Sequence, residues 1–249
     1  MDRCGAIVVS CCQLMAIANI RREYSTGGLN RQDLVANPLV QFNQWFGQAA
    51  AQTGGSRLRK IGIALFKLWH AMLGHAPADV NAMVLATVDK NGLPSARTVL
   101  LKDVDERGFI FFTNYDSRKG HELAENPNAA LTFYWPELER QVCMAGQVTK
   151  LPREESEAYF KSRPKGSRLS AWASNQSAVV GNREVLEHRW QEIAAKFSGD
   201  DVPLPPNWGG YVLSPSRVEF WQGRSSRLHD RFRYTRQPDG SWLIERLAP

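Results

Sequence analysis

An Asn91-Gly92 pair stands between two runs, NAMVLATVD (81–89) and PSARTVLLK (94–102). A tight two-residue hairpin turn needs positive φ at its central positions, and asparagine and glycine reach that region at least cost, so the pair predicts two antiparallel strands. GFIFFT (108–113), ALTFYW (130–135) and RQVCMAGQVTKL (140–151) read as further strands, and the pattern returns at 209–214, 217–222, 228–235 and 241–246. Roughly eight or nine short strands with few helices between them argue against a doubly wound parallel sheet, whose strands need long helical crossovers. The expectation is a mainly β protein with flanking helices, an antiparallel barrel that is closed or nearly so.

Helices are marked by their caps. Asn37 and Pro38 open NPLVQFNQWFGQAAAQ (37–52), with Leu39, Phe42 and Phe46 on one side. Ser117 caps a short helix that stops before Pro127, PREESEAYFKSR (152–163) is helical, and Asn182 caps the stretch to 197. The chain of 249 residues can bury one sizeable core, and without repeats or low-complexity linkers it reads as a single domain over 21–249. Residues 1–20 read as an extension, expected to be disordered. Residues 5–18 faintly resemble a signal-peptide core, but Asp2 offsets Arg3 and Met15 offers an alternative start. A basic and apolar block at about 54–76 has Leu58, Ile61, Leu65, Leu68 and Met72 at helical spacing. It reads as a helical insertion that packs on the barrel or a partner, docks on a membrane surface, or stays disordered.

The net charge of +6 admits anionic ligands, but no basic run is dense enough to favour nucleic acid. No apolar stretch is long enough for a membrane span. Cys4, Cys11, Cys12 and Cys143 lack zinc-site spacing and read as reduced thiols, so no metal is expected. No Ser-His-Asp order or nucleotide-binding glycine loop appears.

Three cationic clusters remain. In FWQGRSSRLHDRFRY (220–234), a strand would place Arg227, His229 and Arg231 on one face and Leu228, Asp230 and Phe232 on the other. In FTNYDSRKG (112–120), Thr113, Ser117, Arg118 and Lys119 surround a helix start, a reasonable phosphate site with a simple capped turn as its rival. In EAYFKSRPKGS (157–167), Tyr159 and Arg163 are four apart, Pro164 ends the helix, and Ser167 can cap a following one. Arg97 and Lys102 bracket one strand at an odd separation, so they face opposite sides unless one lies beyond its end. Solvated surface charge is the alternative throughout.

RREY (21–24), SARTVLLK (95–102), FTNYDSRKG, LERQV (138–142), YFKSRP (159–164), NQS (175–177), WGGYVL (208–213), EFWQG (219–223), RLHDRF (227–232) and the terminal ERLAP closely resemble the pyridoxine 5′-phosphate oxidase family. The likeness covers 21–52 and 77–249 in the family's order. It implies a homodimer of FMN-binding split β-barrels of antiparallel Greek-key type, with each flavin held between two subunits; the cysteines read as reduced thiols point to the cytoplasm. It implies oxidation of pyridoxine 5′-phosphate or pyridoxamine 5′-phosphate to pyridoxal 5′-phosphate, with O2 reoxidising the flavin to give hydrogen peroxide. The implied FMN contacts are Arg97, Thr98, Val99, Leu100, Lys102, Phe112, Thr113, Arg118, Lys119, Gln141, Gln176, Ser177, Trp221 and Arg231. Lys102, Tyr159, Arg163 and Ser167 would cradle the substrate phosphate. Arg227 and His229 would be the catalytic groups over the substrate ring, with Leu228 beside them, and Arg21, Arg22, Glu23 and Tyr24 would close on the substrate. Arg168 and Ser170 depart from the expected Gln and Gly, where an added charge would tighten phosphate binding or face water. The extension and the insertion are not family features.

Overall fold

The computed structural model describes residues 23–25, 27–52 and 79–249, so Arg21, Arg22, the extension and the block at 54–76 lie outside the described residues. Helix α1 (Pro38–Gln52) precedes β1 (Ala82–Val88), β2 (Pro94–Leu100), β3 (Asp103–Asp105) and β4 (Gly108–Asn114). Helix α2 (Arg118–Glu125), β5 (Asn128–Trp135), β6 (Arg140–Lys150), α3 (Arg153–Ser162), α4 (Lys165–Ala173) and α5 (Arg183–Lys196) follow. Strands β7 (Trp208–Gln222), β8 (Asp230–Arg236) and β9 (Trp242–Leu247) complete the chain.

Every strand pairing is antiparallel, in the order β2-β1-β5-β6-β7-β4-β3, with β8 and β9 added along β7. Gly92 takes φ of 83° in the β1–β2 turn, the conformation its hairpin requires. The sheet curls because the chain leaving β2 joins its two ends: Leu101 N donates to Asn81 O (2.8 Å) and Lys102 N to Ile110 O (2.8 Å). The result is a half-barrel.

The expected strands at 209–214 and 217–222 are one strand, β7. Its first half pairs with β4, its second with β8, and β6 runs along both. Pro215 cannot donate to a ladder, and the register shift between Ala145 and Gly146 absorbs it. Gly146 is required there, because a Cβ would lie 2.0 Å from Ser214 O.

Helix α1 fills the barrel mouth. Asn37 Oδ1 accepts from Leu39 N (2.8 Å), and fully buried Phe42 packs against Phe109 and Phe133, both with centroids at 4.9 Å. Burying such a ring stabilises the fold by about 1.5–3 kcal/mol. A second core of Phe160, Leu169, Val202, Leu204 and Trp208 holds α3 and α4 against the start of β7. That core carries one of the candidate sites.

Candidate functional site

Asn114 ends β4, and Ser117 turns the chain into α2 by donating to Asn114 O (2.7 Å) and accepting from Gly120 N (3.3 Å). Gly120 lets the helix start close in, since a Cβ would lie 2.0 Å from Tyr115 O. Lys119 is thereby turned inward and buried. Its Nζ donates to Gln176 Oε1 (2.7 Å), Thr113 Oγ1 (3.1 Å) and Ser117 Oγ (3.3 Å). All three are neutral oxygens, and Lys119 makes no ion pair among the described residues. Burial, then the charge of Arg97, pull its pKa down to about 8, with Glu122 opposing.

Glu122, one turn further along α2, is the hub of the neighbouring charges. Its side chain, 5% exposed, accepts from Arg97 Nη2 (2.9 Å), Arg118 Nε (2.8 Å), Ser95 Oγ (2.6 Å) and Thr87 Oγ1 (2.5 Å). Burial raises its pKa, but hydrogen bonds from Ser95, Thr87, Arg118 and Arg97 outweigh that and hold it at about 2. Arg97 also donates to Thr87 Oγ1 (2.5 Å), Leu85 O (3.3 Å) and Ser95 Oγ. Beside this group opens a cavity of about 780 Å³, lined by Arg118, His121, Gln176 and Ser177 together with the carboxylates of Asp89, Asp116, Glu122 and Glu125. Ser177 sits in the left-handed region at φ 74°.

A second cavity of about 320 Å³ adjoins through Gln176 and is lined by Asn114, Arg163, Ser167, Ser170, Ser174 and Trp208. Phe112, Tyr159 and Trp208 stack beside it: Tyr159 lies 3.9 Å from Phe112, and Trp208 lies 5.6 Å from Phe112 and 6.2 Å from Tyr159. Arg163 follows the last residue of α3 in extended conformation, as the proline after it demands. Its guanidinium lies 4.7 Å from the Trp208 ring centre, and its Nη1 is buried with no hydrogen-bond partner among the described residues. Burial lowers its pKa, against the pull of Tyr159. Ser167 is not the cap of α4, which begins two residues earlier behind Pro164; it faces this cavity from the first turn.

Arg168 turns away. Its Nη1 donates to Asp200 O (2.9 Å), tying α4 to the chain beyond α5, while Ser170 lines the cavity and donates to Gly166 O (2.8 Å). Lys102 lies just past β2, exposed and two residues from Phe112 across the pairing with Ile110, so it is beyond the strand end. Thr98 and Leu100 are exposed on β2, and Val99 packs on the core.

The third cluster differs from the expected strand. Strand β8 begins only at Asp230, and Ser225–Arg227 form a single 3-10 turn with Ser226 at φ 55° and Arg227 at φ 61°. Arg227 and Leu228 are exposed, Leu228 at 70%, so Arg227, His229 and Arg231 do not form one strand face. The cause is Asp230. Its buried carboxylate accepts from Arg224 Nε (2.6 Å), Arg246 Nη1 (2.5 Å) and Leu29 N (3.0 Å), and Arg224 N donates to His229 Nδ1 (3.1 Å), folding 224–229 into a loop. From Asp230 onward the alternation holds, with Phe232 and Tyr234 also buried.

Gln141, Trp221 and Arg231 stand side by side on β6, β7 and β8. Arg231 is paired with Glu219 (2.8 Å). Trp221 and His229 rings lie 4.7 Å apart, and Tyr24 meets both edge-on at 5.5 Å. Ser25 N donates to Glu139 Oε2 (3.0 Å), which holds the segment bearing Tyr24 and exposed Glu23 in place. Phe112 pairs with Gly210, and Trp221 lies eleven residues further along the same strand, so this cluster is separated from the Tyr159 and Arg163 cluster. Arg97 is aligned through Leu85, Leu131 and Met144 with Val218, three residues from Trp221.

Sequence reasoning missed Glu122, Trp208 and Asp230. Arg118 and Glu122 at helical i,i+4 spacing were a usable signal for the first. Nothing local pointed to the others, whose roles arise from contacts far apart in sequence.

A curled antiparallel half-barrel with buried cations beside its cavities places the chain among the split-barrel oxidoreductases. A pyridoxamine 5′-phosphate oxidase-related, FMN binding protein of Nostoc punctiforme shares the fold, with TM-score 0.58 and 22% identity over 76% of this chain and all of that one. PhzG from Burkholderia lata, solved with tetrahydrophenazine-1-carboxylic acid, superposes with TM-score 0.73 and 29% identity over 90% of this chain and all of that one. Family models match as pyridoxamine 5′-phosphate oxidase over residues 75–197 and as the pyridoxine 5′-phosphate oxidase C-terminal dimerisation region over 208–249. The pyridoxine/pyridoxamine 5′-phosphate oxidase of Nostoc punctiforme is 52% identical over 94% of this chain and 98% of its own, and one from Ralstonia nicotianae is 53% identical over 95% and 100%. The chain belongs to the pyridoxamine 5′-phosphate oxidase family and is an oxidase.

Proposed function

We propose that the protein oxidises pyridoxine 5′-phosphate and pyridoxamine 5′-phosphate to pyridoxal 5′-phosphate in vitamin B6 metabolism. The observation that carries this is a pair of cationic groups lacking anionic partners among the described residues: Lys119, buried among neutral oxygens, and Arg163, with a buried Nη1 and no acceptor. Arg163 and Ser167 line one cavity, which shares Gln176, the partner of Lys119, with a second; we assign the substrate phosphate to the Arg163 side and the flavin phosphate to the Lys119 side. The chemistry of the donors fits such groups, since Lys119, Arg97, Arg118, Thr113 and Ser177 combine charge with hydroxyls. The redox chemistry would be supplied by bound FMN, which would accept the hydride lost from the substrate's 4′ carbon and be reoxidised by O2 to give hydrogen peroxide; with the amine substrate, water would then replace ammonia to give the aldehyde.

The chain's own residues bind, orient and shield. In this reading Lys119 and Arg118 hold the flavin phosphate with Arg97, Thr113, Gln176 and Ser177, while Thr98, Val99, Leu100, Lys102 and Phe112 line the approach from β2 and β4. Arg163, Tyr159 and Ser167 take the substrate phosphate with Lys102. His229, Arg227 and Leu228 meet the substrate ring, with Tyr24 and its neighbours Arg21, Arg22 and Glu23 closing over it. His229 Nδ1 already accepts from Arg224 N, which leaves Nε2 as the nitrogen that can donate to a ligand when the ring is neutral.

We place Gln141, Trp221, Arg231 and His229 against the Lys119 cluster of a second copy, the homodimer that the family resemblance implies; the matched dimerisation region spans β7 to β9. We place the protein in the cytoplasm, the compartment that its few cysteines, without zinc-site spacing, suggest. The test is to mix purified, FMN-loaded protein with each phosphorylated vitamer in air. Pyridoxal 5′-phosphate and peroxide should form together; FMN-loaded protein that makes neither from either vitamer refutes the proposal.

A further inference from the structure

We propose that Glu122 is a positioning residue that aims Arg97 and Arg118 at the flavin phosphate; this rests on the reading of that cluster given above. Among the described residues Glu122 is the one carboxylate bonded to both guanidiniums. Its Oε2 takes Arg97 Nη2 and its Oε1 takes Arg118 Nε, so each oxygen holds a different arginine. Ser95 and Thr87, from β2 and β1, fasten the same Oε2. The carboxylate itself is therefore saturated and held ionised, with its side chain 5% exposed. Such an arrangement uses one acceptor to lock two long, flexible cations, one from β2 and one from α2, in fixed directions. Lys119, beside Arg118 in the first turn, bonds only neutral oxygens and leaves its charge for a ligand.

Electrostatics alone and positioning predict opposite signs. Removing a negative charge beside an anion site strengthens the anion's attraction if nothing else moves. If Glu122 positions the arginines, the same change releases them and binding weakens. Apo-protein is titrated with FMN and, separately, with riboflavin, which lacks the phosphate, following quenching of flavin fluorescence. Glu122→Gln is expected to weaken FMN by about 10- to 100-fold, the effect of losing one or two charge-assisted contacts, and to leave riboflavin unchanged. Glu122→Asp serves where the glutamine variant does not fold: it keeps the charge but cannot reach both arginines, so positioning predicts loss and electrostatics predicts none.

Unchanged or tighter FMN binding in these variants overturns the proposal. Equal weakening of riboflavin also overturns it, because the residue would then only support the fold. Wild-type protein that binds FMN and riboflavin alike sinks the prior reading that this cluster holds a phosphate, a separate failure.

Discussion

If Lys119 holds the flavin phosphate as proposed, FMN affinity is a function of pH. Burial and the charge of Arg97 hold the Lys119 pKa at about 8 instead of 10.5, a difference worth about 3 kcal/mol against the ammonium form. An anion placed against it removes that penalty and returns the pKa toward the ordinary value. Above pH 8 the side chain has lost its proton and must regain one to bind the anion, so affinity falls as pH rises. With the bound-state pKa back at 10.5, the dissociation constant should increase about tenfold between pH 7 and pH 9 and be flat just below. The flavin phosphate, with its second ionisation near pH 6, is constant over this range. Fluorescence titration of apo-protein measures the curve. Lys119→Met should bind more weakly at pH 7 and lose the slope, and riboflavin should show no slope in either protein. The same proton governs stability of the apo-protein: between about 8 and 10.5 the unfolded chain holds a proton that the folded site has released, so stability rises with pH across that window. A pH-independent FMN constant for the wild type, or a slope that survives in Lys119→Met, would refute the reasoning.

Two further outcomes follow from the same geometry. Arg163→Ala should raise KM for phosphorylated substrate by about 10- to 150-fold, the cost of one charge-assisted contact, while FMN binding stays near wild type; equal loss of both ligands would place Arg163 at the other phosphate. If each site joins clusters from two copies, Lys119→Met and His229→Ala proteins, each impaired alone, should recover about a quarter of wild-type activity when unfolded and refolded together, since half of random dimers are mixed and each carries one intact site. No recovery, with mixed dimers demonstrated by mass spectrometry, would mean that the two clusters belong to separate sites.

Much of the fold was legible because its signals are local. Asn91-Gly92 marked its hairpin, Ser117 and Asn182 marked their helix starts, and Pro164 marked the end of α3, each through backbone conformation or capping over a few residues. Lys119 and Arg163 were legible as charges beside hydroxyls, and the motif order pointed to the family. The expected gap between 214 and 217 is instead an irregularity within β7, because the register shift opposite Ala145 and Gly146 accommodates Pro215.

What the sequence by itself determined was therefore the antiparallel β character, most helix boundaries and the family, all properties of residue order. Tertiary structure decided which charges are available. Lys119 and Arg118 are adjacent in the chain, yet one is buried among neutral oxygens and the other is bound to Glu122. Arg227 and Arg231 looked equivalent on a strand, yet Asp230, drawn inward by Arg224, Arg246 and the Leu29 amide, folds the first into an exposed turn, while the second pairs with Glu219. Charge pairing depends on which side chains meet in space, and burial sets its strength; neither is written in local periodicity.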